Sequence, residues 1–143
     1  MAFHTSRPLR FGDCDPSGIA YFPAYFDILV GVVEEFFESL GAAWPELIAG
    51  RRIGCPTARL EVDFRAPTVH GDRLDFALAV RSVGRSSLEL ATEVRVGDRL
   101  VWKARQVIVA TSLDTHRSCA WPDDVRTALT RHLEVEDAHG SAA

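Results

Sequence analysis

The segment from Gly12 to Gly18 is the part of the chain best equipped for chemistry, because it combines two carboxylates, a thiol and two glycines. Asp13 and Asp15 are separated by one residue, and one of them could cap the loop while the other faces a substrate. A carboxylate can attack a carbonyl carbon or activate water for that attack. The segment is therefore a candidate for chemistry at a carbonyl group, and its two aspartates need not play equal roles.

The same residue types are also ordinary components of turns. Asp, Ser and Gly are favoured in caps and turns, so an aspartate before a helix can act only as a cap. Backbone N–H groups at the start of the following helix, aided by its dipole, could instead polarise a carbonyl. The pattern by itself leaves the capping and the catalytic interpretations open.

Other kinds of reaction site have less support in the sequence. Cys14 would need a base to form a thiolate, and no histidine lies near it in the chain. The five histidines lack the paired spacing of metal ligands, so we predict no metal site. Neither a Gly-rich phosphate loop nor a GxSxG elbow occurs, which argues against nucleotide hydrolysis and the common serine-esterase arrangement.

The segment Val83-Gly84-Arg85-Ser86-Ser87 is a candidate phosphate contact between two predicted strands. The guanidinium of Arg85 and the hydroxyls of Ser86 and Ser87 could donate hydrogen bonds to a phosphate. An arginine on a solvated turn needs no special reason, so the plain surface interpretation stays open as well.

A strand, a loop and a long helix must position the Gly12–Gly18 segment. Phe3 to Phe11 has imperfect alternation and predicts a short strand. From about Pro23 to Leu40, apolar residues recur at intervals of three and four, which predicts a helix that ends before Gly41. Its apolar surface is so wide that a curved sheet, rather than one neighbouring helix, should enclose it.

The rest of the chain supplies that sheet. Alternation of apolar and polar residues predicts four strands: Thr57 to Arg65, Arg73 to Val83, Leu88 to Val96 and Leu100 to Ala110. Short connections between consecutive strands favour an antiparallel meander. Pro122-Asp123-Asp124 opens a C-terminal helix to about Leu133, and a loose tail should occupy about 134–143. We therefore expect one α+β domain over residues 1–143.

Length and charge limit the possible partners and locations. The chain has 143 residues, 47% of them hydrophobic, which suits a single domain with its own core. Its net charge is −4 and its arginines are scattered, so nucleic acid is not expected as a partner.

The most apolar stretch of the chain is interrupted by Asp27, Glu34, Glu35 and Glu38, so no membrane span is expected. Three widely spaced cysteines without a CxxC pair, interpreted as reduced thiols, and a polar amino terminus predict a cytoplasmic protein.

The run Arg10-Phe11-Gly12-Asp13-Cys14-Asp15-Pro16-Ser17-Gly18-Ile19, followed by Tyr21-Phe22-Pro23-Ala24-Tyr25, resembles the 4-hydroxybenzoyl-CoA thioesterase family. Farther along, Phe64-Arg65-Ala66-Pro67 and His70-Gly71-Asp72-Arg73 resemble it only weakly. The resemblance implies a hotdog fold, in which a curved antiparallel sheet wraps a long helix. It also implies that two subunits pair into a larger sheet, with sites at their interface, and that two such dimers form a homotetramer.

The resemblance further implies an acyl-CoA thioesterase that needs no cofactor, since the CoA thioester is the substrate. The second aspartate of the Gly-Asp-x-Asp motif is catalytic in that family and falls on Asp15. The N–H that polarises the thioester carbonyl falls on Phe22. Substrate contacts are then expected from a further set of residues: Gly18, Tyr21, Tyr25, Arg85, Ser86 and Ser87.

The helix and the Ala20-Tyr21-Phe22 stretch depart from the pattern of that family, which leaves the acyl group open. An aromatic acyl group is plausible, because Tyr21, Phe22, Tyr25 and Phe26 could line its pocket, although such residues are also ordinary core. Two other functions stay open. One is a non-catalytic acyl-thioester binding module. The other is a hydratase or dehydratase, which would need a histidine that the loop and the helix lack.

Overall fold

A five-stranded antiparallel sheet and one long helix form the framework of the chain. The computed structural model describes residues 2–134. The strands are β1 (Phe3–Pro8), β2 (Ile53–Gly54), β3 (Thr57–Phe64), β4 (Arg73–Val83), β5 (Ser87–Val96), β6 (Arg99–Val109) and β7 (Thr111–Ser112). The helices are α1 (Phe22–Ser39), α2 (Trp44–Arg51) and α3 (Asp123–Arg131).

Helix α1 forms where the apolar periodicity predicted it. Pro23 suits its first turn, and the chain leaves the helix through Gly41, whose φ of 78° favours glycine. Its buried residues are Tyr25, Leu29, Val32, Val33, Phe36 and Phe37. No helix among residues 2–134 is long and apolar enough to cross a membrane.

The sheet wraps around α1, as the width of the apolar surface predicted. Leu78, Leu90 and Trp102 lie on the sheet face that packs against the helix and are fully buried. Register shifts interrupt the pairing of β4 with β5, of β5 with β6 and of β3 with β6. Such irregularities increase local twist, which helps a sheet to curve around a helix.

The strand order is β1-β4-β5-β6-β3, so the predicted four-strand meander is only partly correct. Strands β4, β5 and β6 follow one another as hairpins, but β3 pairs with β6 at the far edge instead of with β4. The connection after β3 is the reason. Pro67 lacks an N–H, and the residues after it bond to Ala20 and Leu9, so this segment pairs with the loop between β1 and α1 instead of joining β3 directly to β4 as a hairpin.

Three local features differ from the sequence expectations. Strand β1 ends at Pro8, and a 3₁₀ turn over Phe11–Asp13 replaces the last part of the predicted strand. Helix α2 and the β2–β7 pair were not predicted, because each is short and has no extended periodicity. The Glu134 N–H donates to the Val80 carbonyl, whereas the rest of the predicted tail lies outside the described residues.

The two ends of the sheet are far apart. Pro8 pairs with Arg73 at the start of β4, and the turn after Val83 lies at the other end of this strand. Strand β4 has 11 residues, and at ~3.3 Å per residue the two ends are separated by roughly 35 Å. Within one chain, groups at one end of β4 therefore do not reach groups at the other end.

Replacing Phe36 with Ala should test the enclosure of α1. Phe36 is fully buried, so the substitution should lower the free energy of unfolding by about 3 to 5 kcal/mol, through lost burial and the cavity that remains. Urea denaturation at fixed protein concentration would measure it. The control is Val30→Ala on the exposed side of α1, which should change stability by about 0.5 kcal/mol or less. Equal losses in both variants would contradict this packing.

Candidate active site

The Gly12–Gly18 segment folds into a tight turn that is closed by its own backbone. Asp15 N–H donates to the Ile19 carbonyl at 2.9 Å, and Gly18 N–H donates to the Asp15 carbonyl at 2.9 Å. Cys14 and Ala20 form an antiparallel bridge below the tip. Gly18 has a φ of 84°, a conformation that glycine adopts at little cost. The turn thus presents Asp15 on a defined backbone.

Asp15 is held as an ionised carboxylate by Ser17. Its Oδ1 accepts the Ser17 N–H at 2.8 Å and also the Ser17 hydroxyl. These hydrogen bonds, the one from the hydroxyl first, lower the pKa of Asp15 below its ordinary value of 3.8. The carboxylate is exposed and is therefore available to a reacting molecule.

Asp13 has a structural role instead. Its Oδ2 accepts the Arg10 N–H at 2.9 Å, and its carbonyl accepts the Tyr21 N–H at 2.8 Å. Both contacts stay within the loop and fasten it to the residue that precedes α1. The structure agrees with the expectation that the two aspartates differ, since Asp13 caps the loop and Asp15 faces outward.

The start of α1 provides a free donor. Phe22 is the first helical residue and Pro23 the second, and the Ala24 N–H donates to the Tyr21 carbonyl at 2.8 Å. Within residues 2–134 the Phe22 N–H forms no hydrogen bond. An unused N–H at a helix start can stabilise negative charge that develops on an oxygen.

A groove opens beside these groups, with a volume of about 300 Å³. Its lining residues are Ile19, Ala20, Phe22, Tyr25, Phe64, Arg65, Ala66 and Pro67. Phe64 on the edge strand stacks on Tyr25 with ring centroids 5.9 Å apart and meets Phe22 edge-on at 6.2 Å. The groove is therefore largely apolar and aromatic. Asp15 lies at the border of the groove, because its N–H donates to the carbonyl of the lining residue Ile19.

The predicted site residues separate into two groups. Asp15, Gly18, Tyr21, Phe22 and Tyr25 lie together at the end of the sheet where β4 begins. The Tyr21 ring is exposed beside Phe22, whereas the Tyr25 hydroxyl is buried and bonded to Thr68.

Arg85, Ser86 and Ser87 lie at the opposite end of the sheet. The carbonyl of Arg85 accepts the Trp121 N–H at 3.0 Å, and that of Ser86 accepts the Ala110 N–H at 2.7 Å. The Arg85 side chain is exposed. Within one chain, this turn is not part of the groove.

Several residues near the groove were not identified from the sequence. Ser17 could have been found, because a serine two residues after an aspartate often bonds to its carboxylate. Phe64 and Thr68 are distant in sequence and only the fold brings them close. His70 also reaches the turn, since its N–H donates to the Gly18 carbonyl at 3.1 Å.

Cys14 is poorly suited to act as a nucleophile. Its pKa is raised by burial and by the negative charges of Asp13 and Asp15, so the thiolate is disfavoured. Within residues 2–134, no group of three acidic, histidine or cysteine side chains could hold a metal ion. Asp15 is therefore the candidate reactive group of this loop.

Replacing Ser17 with Ala should raise the pKa of Asp15 towards its ordinary value, because it removes the hydroxyl donor and leaves the backbone one. The lowered pKa of Asp15 contributes stability above the pKa of the unfolded chain, and that stability is lost as the pH falls through the folded pKa. A carboxyl NMR titration would follow the change. Ser39→Ala at the end of α1 should leave it unaltered, and an unchanged pKa in Ser17→Ala would contradict the assigned hydrogen bond.

Comparison with known proteins identifies the family. A model of the thioesterase-like superfamily matches residues 9–129. A 1,4-dihydroxy-2-naphthoyl-CoA hydrolase from Nostoc punctiforme is 27% identical over 139 residues, covering 96% of this chain and 94% of the relative.

Solved structures agree in fold. A 1,4-dihydroxy-2-naphthoyl-CoA thioesterase from Synechocystis superposes with a TM-score of 0.83 at 21% identity, covering 91% of this chain and 96% of the other. A Staphylococcus aureus protein in complex with CoA superposes with a TM-score of 0.86 at 17% identity, covering 94% and 87%. Since the family model spans most of the chain, the chain belongs to the thioesterase-like superfamily, and the predicted hotdog fold and thioester hydrolase class are confirmed.

Proposed function

We propose that the chain hydrolyses an aromatic acyl-CoA thioester to the free acid and CoA, with Asp15 and Phe22 as its catalytic groups. The observation that carries this proposal is that an ionised carboxylate and an unused helix N–H border one aromatic groove. Gly18 and Tyr21 contact the substrate beside them. The reaction needs no cofactor, since the CoA thioester is itself the substrate.

Two routes use the same groups. Asp15 can attack the acyl carbon, expel the CoA thiolate and form a mixed anhydride, which water then cleaves to regenerate the carboxylate. Alternatively, Asp15 takes a proton from water as the water oxygen attacks the same carbon, and CoA leaves with a proton. In both routes the Phe22 N–H donates to the carbonyl oxygen as negative charge builds up there.

The aromatic acyl group is proposed from the groove lining and from the relatives. Phe22 and Phe64 present exposed rings at the groove and Tyr25 stacks behind Phe64, an arrangement that favours a planar aromatic ring over a flexible chain of equal size. The Nostoc punctiforme relative is named for an aromatic acyl-CoA, 1,4-dihydroxy-2-naphthoyl-CoA.

We also propose that the working form is a homodimer, assembled further into a homotetramer, in the cytoplasm. Strand β3 is at the sheet edge, and its Leu60 and Phe64 side chains stay exposed. Antiparallel pairing of two β3 edges would extend the sheet and bury these apolar groups. It would also bring Arg85, Ser86 and Ser87 of a second copy to the groove end, where they could bind the CoA phosphates.

Replacing Asp15 with Asn should abolish turnover, because the amide keeps the shape but cannot act as base or nucleophile. Thiol release would be measured with aromatic, short-chain and long-chain acyl-CoAs, and a fall in kcat of at least about 100-fold is expected. Asp123→Asn at the start of α3 is the matched control and should keep native activity.

The acyl panel also separates the alternatives. Hydrolysis that prefers aromatic thioesters supports the whole proposal, and preference for an aliphatic chain would contradict its aromatic part. Tight binding of acyl-CoA without thiol release would favour a binding module. Full activity of Asp15→Asn would move catalysis to another residue.

Replacing Arg85 with Ala should weaken recognition of the nucleotide part alone. We expect KM for acyl-CoA to rise about 10-fold, the loss of roughly one charge-assisted hydrogen bond. KM for the same acyl group on pantetheine, which lacks the nucleotide, should stay constant. Arg131→Ala in α3 is the matched control. If Arg85→Ala changed KM equally for both thioesters, Arg85 would not bind the nucleotide part of CoA.

A further inference from the structure

One buried hydrogen bond joins the first turn of α1 to the segment between β3 and β4. It links the Tyr25 hydroxyl with the Thr68 Oγ1, across 43 positions of sequence. Tyr25 is 4% exposed and Thr68 0% exposed, so water does not replace either partner. A buried hydroxyl without a partner is costly, and the bond therefore keeps the two segments together.

The segment that contains Thr68 supports the Asp15 turn. The Thr68 carbonyl accepts the Ala20 N–H at 2.9 Å, and the His70 N–H donates to the Gly18 carbonyl at 3.1 Å. Ile19 and Val69 form an antiparallel bridge between these two contacts. One arm of the turn is thus paired along its length with residues 68–70.

Tyr25 holds the other catalytic element. It lies three residues after Phe22, within the same helical turn. The placement of Tyr25 on the sheet therefore also sets where the Phe22 N–H points. Its ring packs against Trp102 with centroids 5.0 Å apart. The ring fixes α1 on the sheet, and the hydroxyl fixes α1 to the segment that carries the turn.

We infer that Tyr25 is a positioning residue, which acts through Thr68 to set the geometry between the Asp15 carboxylate and the Phe22 N–H. The inference rests on the proposed function. The hydroxyl of Tyr25 does not reach the thioester, because it is buried and already bonded. A displacement of about 1 Å between reacting groups can cost about 100-fold in rate, so this bond matters for turnover more than for substrate binding.

Tyr25→Phe and Thr68→Val each remove one hydroxyl with little change in shape. Each should lower kcat about 10- to 100-fold and change KM by less than about twofold. The double variant should lose no more of its kcat than the more impaired single variant, because both changes break the same bond. Thr68→Ser keeps the hydroxyl and should restore most of the rate. The readout is steady-state kinetics with the preferred acyl-CoA.

Amide hydrogen exchange tests the same inference without turnover. In Thr68→Val, the Ala20 and His70 amides should exchange about 10-fold faster, while amides in the middle of β5 keep their rates. Thr92→Val is the matched control, because Thr92 is 1% exposed and lies in β5, away from the turn. It should leave the exchange rates of the Ala20 and His70 amides unchanged. A native chain that releases no thiol would defeat the proposed function, whereas unchanged exchange would defeat this inference.

Three kinetic outcomes would overturn the inference. A higher KM with unchanged kcat would make Tyr25 a substrate-binding residue. A lower melting temperature with native kinetics would make the bond purely structural. Additive losses in the double variant would show that the two hydroxyls act independently.

Discussion

The structure depends on the enclosure of α1, whose apolar residues cover most of its circumference. Burying Val32, Phe36 and Phe37 removes a large apolar area from water, and only a sheet that curves around the helix can do this. This requirement places the central strands β4, β5 and β6 beneath the helix. It also leaves the beginning of α1 at one end of the sheet, where the Phe22 N–H has no partner within residues 2–134.

The polar groups of the site follow from that placement. A short loop must cross from β1 to the helix start, and its backbone is satisfied by pairing with residues 68–72. The tip of this loop can then carry an exposed, ionised carboxylate, because Ser17 donates the hydrogen bonds that stabilise its charge. A charged group and an apolar groove meet at one place because the helix start lies on the border between them.

Local residue patterns explain why much of the fold could be predicted. The alternation in β4 and the three- and four-residue spacing in α1 gave bounds close to those observed, since each pattern reports burial on one face. Helix α2 was missed because eight residues offer little periodicity. The place of β3 beside β6 was missed because it depends on the path of the connection after β3, which local alternation does not encode.

The sequence by itself determined the loop that contains Asp15, the long helix after it and the family, because these are encoded in contiguous residues. The tertiary structure alone decided which distant residues meet there. It stacked Phe64 on Tyr25, bonded the Tyr25 hydroxyl to Thr68, and separated the Arg85 turn from the groove by the length of β4. Such contacts arise from strand order and register, which are set by the burial of the whole sheet against α1 and not by any single segment.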